Sequence, residues 1–180
     1  MTPLALRPVV AVLLAVAFGA AQAAGVDTIL EYKVKAAFLY NFAKFVSWPA
    51  EKFASPQSPI EICVLEPDPF GAILDETVRG KSVDGHPLLV RRGSQVESLR
   101  ECHLLYADES DSRRVEQIFG QLAPNSVMTV HSGDRVLGSG VARFFLDERR
   151  IRFEINAASA ERAGLQLSAK LQSVAVIVRN

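Results

Sequence analysis

The stretch IEICVLEPDPFGAILDETVRG, residues 60–80, decides the fold class. It begins with an almost continuously apolar run, Ile60–Leu65, which is typical of a strand buried on both faces of a parallel sheet. A proline-containing turn follows, and Phe70–Val78 has helical character, with Pro69 before it and Gly80 after it. A buried strand followed directly by a helix predicts a β-α unit.

The same alternation continues down the chain. Apolar runs with strand character alternate with segments of helical character, and short polar turns separate them. The predicted strands are His86–Arg91, His103–Ala107 and Ser126–Val130, and the predicted helices are Gln95–Arg100 and Asp111–Leu122. After Gly140, the segments Val141–Leu146 and Arg150–Ile155 predict an antiparallel hairpin. Strands that alternate with helices predict a parallel sheet with helices packed on its faces.

Amphipathic helices are predicted at both ends of this region. Residues 28–46 repeat apolar side chains at helical spacing, and Pro49 marks the end of the helix. The predicted core-facing stripe is Leu30, Val34, Ala37, Phe38, Phe42, Phe45 and Val46. Near the other end, a short helix Ala157–Ala163 precedes a second amphipathic helix over Leu167–Val178. We therefore expect an α/β fold: a single three-layer domain with a largely parallel central sheet, an antiparallel C-terminal hairpin, and N- and C-terminal amphipathic helices.

The first residues have the pattern of an export signal. Arg7 is followed by an apolar run, Val9–Phe18, and then by small residues that include Ala21-Gln22-Ala23. The run is about ten residues long, whereas a bilayer-spanning helix needs roughly 20. An uncleaved N-terminal anchor is the alternative. We expect a signal peptide over residues 1–23, cleaved on export, and one mature domain over residues 24–180 without stable membrane insertion.

The charge balance excludes some classes of partner. Lys and Arg together number 20, and so do Asp and Glu, which leaves a formal net charge of zero. Nucleic-acid binding needs a clustered basic excess, and attraction to an anionic membrane surface needs a polybasic segment. We therefore expect no nucleic-acid partner.

The sequence has no recognisable catalytic apparatus. It contains no Gly-x-Ser-x-Gly elbow, no Walker motif and no Gly-x-Gly-x-x-Gly loop. A triad drawn from Ser126, Ser132 or Ser139 with His131 or His103 and Asp108 has no sequence signature to support it. We therefore expect no enzymatic activity and no cofactor.

Two cysteines, Cys63 and Cys102, lie at the edges of two predicted strands. In an oxidising compartment such a pair tends to form a bond, and neighbouring strands lie close enough for it. A structural disulfide is the favoured interpretation. A redox-responsive pair and a metal site remain as alternatives, although Cys-x-x-Cys spacing and ligand-like histidine spacing are both lacking.

Three glycine-containing segments and two aromatic residues are further candidates for binding. Residues 66–71 follow a predicted strand, where open α/β sheets bind ligands, and residues 132–134 and 138–140 could let backbone approach a partner. All three segments are more simply explained as turns. Tyr40 and Trp48 could anchor an interface, although capping of the core is the favoured interpretation for Trp48.

Several segments resemble a known family. YKVKAAFLYNFAKF at residues 32–45, followed by Trp48-Pro49, resembles the opening signature of the YfiR-type periplasmic proteins. ICVL at residues 62–65 and CHLLY at residues 102–106 are similar to the central strands of that family. RFEIN at residues 152–156, with Ala163-Gly164-Leu165, Leu167-Ser168 and Lys170-Leu171, resembles its closing motif. The resemblance covers nearly the whole mature chain in the same order.

The resemblance implies a periplasmic repressor of an inner-membrane diguanylate cyclase. Such a protein binds the periplasmic sensor domain of the cyclase, lowers cyclic di-GMP and so restrains biofilm formation. The family also implies a homodimer and a cysteine pair, here Cys63 and Cys102, whose oxidation supports the fold. A second pair that some relatives carry is lacking in this chain. The alternative is a periplasmic small-molecule-binding module, with its ligand near Glu66–Phe70 and Asp108–Asp111.

Overall fold

A central β-sheet organises the protein, which is seen here in a computed structural model that describes residues 28–108, 111–135, 138–176 and 178–179. The predicted signal peptide lies outside the described residues. The helices are α1 (28–45), α2 (Ala72–Val78), α3 (Val96–Leu99), α4 (Ser112–Leu122), α5 (Ala157–Arg162) and α6 (Ala169–Val174). The strands are β1 (Val46–Ser47), β2 (Ile60–Leu65), β3 (Ser82–Val83), β4 (His86–Gly93), β5 (Leu104–Asp108), β6 (Met128–Ser132), β7 (Ala142–Asp147), β8 (Arg150–Asn156), β9 (Gln166–Leu167) and β10 (Val178–Arg179).

The central sheet has the strand order β10-β8-β7-β6-β5-β2-β4-β3. The five central strands, β4, β2, β5, β6 and β7, are parallel to one another. On either side of them, β3 is antiparallel to β4 and β8 is antiparallel to β7. Strands β1 and β9 form a separate antiparallel pair. The predicted α/β class, the largely parallel sheet and the antiparallel hairpin are therefore confirmed.

Helices cover both faces of the sheet, which gives the predicted three layers. Successive residues of β2 point to opposite faces: Ile62 and Val64 belong to the core under α1 and α2, whereas Cys63 and Leu65 belong to the core under α3 and α4. The chain passes from β2 through α2 to β4, and then through α3 back to β5 on the other side of β2. Because crossovers between parallel strands are right-handed, this reversal places α2 and α3 on opposite faces.

The core-facing side of α1 differs from the predicted stripe. Ala36, Leu39 and Phe42 are fully buried, whereas Leu30 is 59% exposed. Phe42 and its half-buried neighbour Phe38 pack against aromatic rings of β7 and β8. The helix carries apolar residues on two sides, and the aromatic contacts determine which side faces the sheet.

The C-terminal helix is shorter than the sequence pattern predicts. The Ser168 hydroxyl oxygen caps the start of helix α6 by accepting the backbone N–H of Leu171, but the helix ends at Val174. Beyond it, the N–H of Val176 donates to the carbonyl oxygen of Phe153, and β10 pairs in parallel with β8. Extension of the helix to Val178 was therefore wrong, because β-branched residues there satisfy their backbone groups on the sheet instead.

Candidate functional site

A disulfide joins Cys63 of β2 to Cys102, which lies just before β5. The two strands are neighbours in the sheet, and the Cα atoms are 5.9 Å apart. Both sulfur-bearing side chains are fully buried in the core under α3 and α4. The structure therefore contains the predicted bond and places it inside the protein rather than at a reactive surface.

The disulfide also bears on the metal alternative. Glu61, Cys63 and Cys102 place possible ligand atoms within 4.8 Å of one another. Metal coordination by cysteine requires thiolates, and both sulfurs are committed to the S–S bond. One carboxylate oxygen of Glu61 accepts from Arg91 at 2.6 Å, while the other is buried without a hydrogen-bond partner among the described residues. In the oxidised protein, the Glu61 carboxylate is therefore part of an ion pair with Arg91, and this ion pair lies beside the Cys63–Cys102 disulfide.

The loop after β2 is held as a turn by one guanidinium group. Arg92 donates to the Asp68 carboxylate at 2.7 Å, to the Asp75 carboxylate at 2.5 Å and to the carbonyl oxygen of Gly71 at 2.8 Å. These hydrogen bonds raise the pKa of Arg92 and lower the pKa of Asp75. Asp68 also accepts the backbone N–H of Phe70, whose ring is buried in the core. The turn interpretation of residues 66–71 fits these contacts.

The crevice predicted between this loop and Asp108–Asp111 has almost no free volume. Its cavity measures about 10 Å³, which is room for at most about one water molecule. Asp111 instead caps α4, with its carboxylate accepting the N–H of Arg114 at 3.2 Å. The part of this crevice that the described residues form therefore has no room for a small-molecule ligand.

A larger cleft, about 540 Å³, opens between α1 and the carboxyl ends of β5, β6 and β7. Tyr32 of α1 reaches across it, and its hydroxyl donates to the Asp108 carboxylate at 3.0 Å. Burial raises the pKa of Tyr32, and the negative charge of Asp108 raises it further. The hydrogen bond between Tyr32 and Asp108 therefore connects α1 to the end of β5 along one wall of the cleft.

Lys35 is the most deeply buried cation in the described part of this cleft. It is only 4% exposed, and its ammonium group lies 2.5 Å from the carboxylate of Glu31, one helical turn earlier. The same ammonium lies 4.7 Å from the centre of the Tyr32 ring. The ion pair and the cation–π contact compensate for the loss of water around a buried charge.

The loop after β6 forms the opposite wall of the cleft. Arg143 donates to the carbonyl oxygens of Gly133 and Asp134 at 2.9 and 3.0 Å, and it pairs with Glu154 at 2.9 Å. Both members of this ion pair are largely buried. Residues 132–134 were predicted to be either a turn or a place where the backbone could approach a partner. They form a turn that lines a cavity.

The serine and histidine residues near the cleft do not form a catalytic triad within the described part of the chain. The Ser132 hydroxyl oxygen accepts from the Tyr106 hydroxyl at 2.8 Å, while His131 Nε2 lies 3.1 Å from the carbonyl oxygen of Arg135. Burial lowers the pKa of His131. His103 accepts the backbone N–H of Glu61 through Nδ1 on the other side of the molecule. No serine hydroxyl in the described residues is hydrogen-bonded to a histidine.

An apolar groove lies beside the cleft, between α1 and the β7–β8 turn. We define it by Leu30, Val34, Leu146 and Ile151, with Arg149 and Arg150 at its rim, and its volume is about 430 Å³. Leu30 is 59% exposed and Leu146 is 66% exposed. Large apolar side chains that meet at a surface are typical of an interaction site.

The two aromatic candidates have structural roles. Trp48 is buried, and its indole Nε1–H donates to the carbonyl oxygen of His103 at 2.9 Å, so it caps the core. Tyr40 is half-buried, with the ammonium of Lys81 4.1 Å from its ring centre. Sequence reasoning missed the roles of Tyr32 and Lys35, although the Glu31–Lys35 spacing of one helical turn could have indicated the ion pair.

These features describe a disulfide-containing α/β protein with a cleft and an exposed apolar groove. The chain belongs to the YfiR/HmsC-like family (DUF4154), whose model matches residues 32–176. Members of this family are known as periplasmic, non-enzymatic regulators of diguanylate cyclases. Within the described residues, no helix combines the length and apolarity needed to cross a bilayer.

Comparison with solved structures finds eight matching chains. A conserved domain protein from Vibrio cholerae O1 biovar El Tor strain N16961 aligns with a TM-score of 0.46 and 10% sequence identity. The alignment covers 67% of this chain and 55% of that chain, so it spans about half the length of the Vibrio protein. Among curated proteins, no sequence matches this chain.

Proposed function

We propose that this protein is an exported regulator that binds the periplasmic domain of an inner-membrane diguanylate cyclase and represses synthesis of cyclic di-GMP. The match of residues 32–176 to a family of periplasmic cyclase regulators carries the proposal. Cleavage after residue 23 releases the mature domain, residues 24–180, into the periplasm as a homodimer. The fully buried disulfide suits that oxidising compartment.

The apolar groove is the surface that we assign to the cyclase. Leu30 and Leu146 leave large apolar areas in water, and burying such area against a partner is favourable by roughly 25 cal/mol per Å². Arg149 and Arg150 at the rim add charge that can orient an acidic partner surface. The occupant is the sensor domain of the cyclase, and a second copy of this chain is the competing occupant.

Repression follows if the regulator binds one conformation of the sensor better than the other. A bound protein shifts a conformational equilibrium only by its difference in affinity for the two states. No catalytic group is required for this mechanism, which agrees with the family's regulatory character.

The test uses the full chain in cells that also contain the candidate cyclase. We expect the processed protein to co-purify with the cyclase, and deletion of its gene to raise cyclic di-GMP. Removing residues 1–23 is the first control, because the protein then stays in the cytosol and cannot repress. Absence of a complex together with unchanged cyclic di-GMP would contradict the proposal.

Surface variants test the assigned groove. Leu30→Asp and Leu146→Asp should abolish co-purification and raise cyclic di-GMP to the level of the deletion. Leu89→Asp is the matched control, because Leu89 is 52% exposed on β4 near the opposite edge of the sheet. If the groove variants dissociate a homodimer but still bind the cyclase, the groove is a self-interface and our assignment is wrong.

A further inference from the structure

A row of lysines and aromatic rings lies at the C-terminal end of α1. The ammonium groups of Lys81 and Lys44 lie 4.1 and 5.5 Å from the ring centre of Tyr40. The ammonium groups of Lys44 and Lys170 lie 5.6 and 5.1 Å from the ring centre of Phe45. We call these five residues the basic row. It joins the end of α1 to the residue before β3 and to α6, so lysines that are far apart in the sequence meet at one surface.

The basic row holds three positive charges without a counter-charge. All three lysines are exposed, and no ion pair in the described part of the chain includes any of them. Like charges that gather in this way repel one another and cost stability. The contacts with the two rings hold the lysine side chains in place, which reduces the entropy that they lose on binding. An anionic partner fits this arrangement.

The charge of this surface disfavours a second copy of the chain as the occupant. Leu30, Ala37 and Lys44 are exposed and follow one another at intervals of seven residues, about two helical turns, so the apolar groove and the basic row share one side of α1. If two copies packed along this side with their α1 helices antiparallel, each basic row would face Arg149 and Arg150 at the rim of the other groove. If the helices were parallel, lysines would face lysines. Both arrangements place like charges together, which is costly at an interface.

An acidic protein segment fits the basic row better than a membrane does. Anionic membranes are recognised by clusters of roughly 4–8 Lys or Arg residues, whereas the basic row has three lysines. Its two aromatic rings are half-buried and lie under the ammonium groups, so they are not free to insert between lipids. Positive charges spread along a row are complementary to carboxylates spaced along a chain.

We propose that the basic row binds an acidic segment of a partner protein, with carboxylates against Lys44, Lys81 and Lys170. Leu30 in the groove and Lys44 in the basic row are separated by about 21 Å of helix, and an interface of standard size, roughly 800 Å² per partner, is wide enough to cover both. One partner therefore places apolar residues in the groove and acidic residues on the basic row. That this partner is the sensor domain of the cyclase rests on the proposed function, whereas binding of an acidic segment does not.

The first experiment measures peptide binding by the exported, processed protein and needs no cyclase. Fluorescence anisotropy follows a labelled hexaglutamate peptide, hexalysine is the charge control, and sedimentation with phosphatidylglycerol vesicles tests the membrane. We expect only hexaglutamate to bind, and raising the ionic strength from about 0.05 to about 0.5 M should weaken its binding about tenfold. No binding of hexaglutamate, or binding of the vesicles in its place, would overturn the proposal.

The second experiment reverses charges in the basic row. Lys44→Glu with Lys170→Glu should weaken hexaglutamate binding at least about tenfold, because two attractions become two repulsions. Arg100→Glu with Arg113→Glu is the matched control, because it changes the net charge equally at exposed positions beside α3 and in α4, on the other face of the sheet. Thermal unfolding checks that each variant folds. Equal weakening in the control variant would show non-specific attraction and contradict the assignment.

Co-purification with the candidate cyclase separates this proposal from the proposed function. Loss of both hexaglutamate and the cyclase in the Lys44→Glu, Lys170→Glu variant would place the acidic segment in the sensor domain. A wild-type protein that binds hexaglutamate but not the cyclase would contradict the proposed function and support the basic row as a site for another acidic protein. A variant that loses hexaglutamate but retains the cyclase in full, or that dissociates a homodimer in size-exclusion chromatography, would show that the basic row is not the partner surface proposed here.

Discussion

The indole N–H of Trp48 donates a hydrogen bond of 2.9 Å to the carbonyl oxygen of His103. That carbonyl also accepts the backbone N–H of Met128 at 2.8 Å. The segment after α1 is thereby connected to the start of β5 and β6 in the buried part of the sheet. This contact explains why the chain turns inward at Trp48 rather than presenting the indole to a partner.

We expect Trp48→Phe to lower the free energy of unfolding by about 1–2 kcal/mol, because it removes this hydrogen bond and part of the buried ring. Trp48→Ala should cost about 3–5 kcal/mol, since a larger cavity remains. Urea unfolding followed by circular dichroism measures both values. A Trp48→Phe protein as stable as the wild type would show that the hydrogen bond contributes nothing.

Acid should destabilise the protein through His103. Burial, with smaller effects from the positive charges of Lys52 and His86, lowers the pKa of His103 to about 4. An unfolded histidine titrates near 6.5, so between these pH values the unfolded chain binds a proton that the native protein excludes. Stability is therefore complete above pH 6.5 and falls on the order of 3 kcal/mol by pH 4.

Urea unfolding at pH 4, 5, 6 and 7 measures this loss. His103→Asn is the control, because its side-chain oxygen can still accept the N–H of Glu61 but does not titrate. The difference between the two proteins isolates His103 from other titrating groups, which include His131, whose pKa is also lowered by burial. Parallel pH profiles would disprove the assignment.

Removing the disulfide should cost stability without removing partner binding. The bond joins residues separated by 39 positions, and the chain-entropy model assigns about 4 kcal/mol to a loop of this size. Cys63→Ala with Cys102→Ala should therefore lower the free energy of unfolding by about that amount. The double variant should still co-purify with the cyclase.

Thiol titration gives an independent measurement of the same bond. The wild-type protein, unfolded without reductant, should release no titratable thiol, and dithiothreitol should destabilise only the wild type. Two reactive thiols per chain would contradict the prediction. Retained stability with lost cyclase binding would instead identify a redox-responsive pair.

The two sides of α1 should respond differently to substitution. Leu30→Asp should change the free energy of unfolding by no more than about 0.5 kcal/mol, because Leu30 is largely exposed. Phe42→Ala should cost about 3–5 kcal/mol, because its ring is fully buried against Phe144 and Phe153. Thermal and urea unfolding compare them, and a loss from Leu30→Asp as large as the loss from Phe42→Ala would restore the stripe predicted from the sequence, which contains both residues.

The sheet could be predicted because its strands carry direct local signals. Continuous apolar runs such as Ile60–Leu65 indicate burial on both faces, and the alternating segments after Gly140 indicate the hairpin. The side of α1 that faces the sheet could not be predicted, since both sides carry apolar residues. Burial of Lys35 also contradicts the usual preference of charged side chains for the surface.

Parts of the candidate site could likewise be predicted from local sequence, whereas contacts between distant residues could not. Asp108 is the last residue of β5, one position beyond the strand predicted at His103–Ala107. Its partner Tyr32 lies 76 positions away, and only the packing of α1 brings the two together. The capping role of Ser168 was recognisable locally, but competition between helix and sheet beyond Val174 was decided by the backbone of β8.

The sulfur bridge encloses a ring of backbone that includes α2, β3, β4 and α3. Arg79, Gly80 and Lys81 form an exposed corner of this ring, where a trypsin-like protease could cleave. A single cut there would leave both pieces covalently attached, and the mass would increase only by one water. On a denaturing gel the cleaved protein would migrate as one band without reductant and as two bands with it. The disulfide would therefore hold the two fragments of a cleaved chain together.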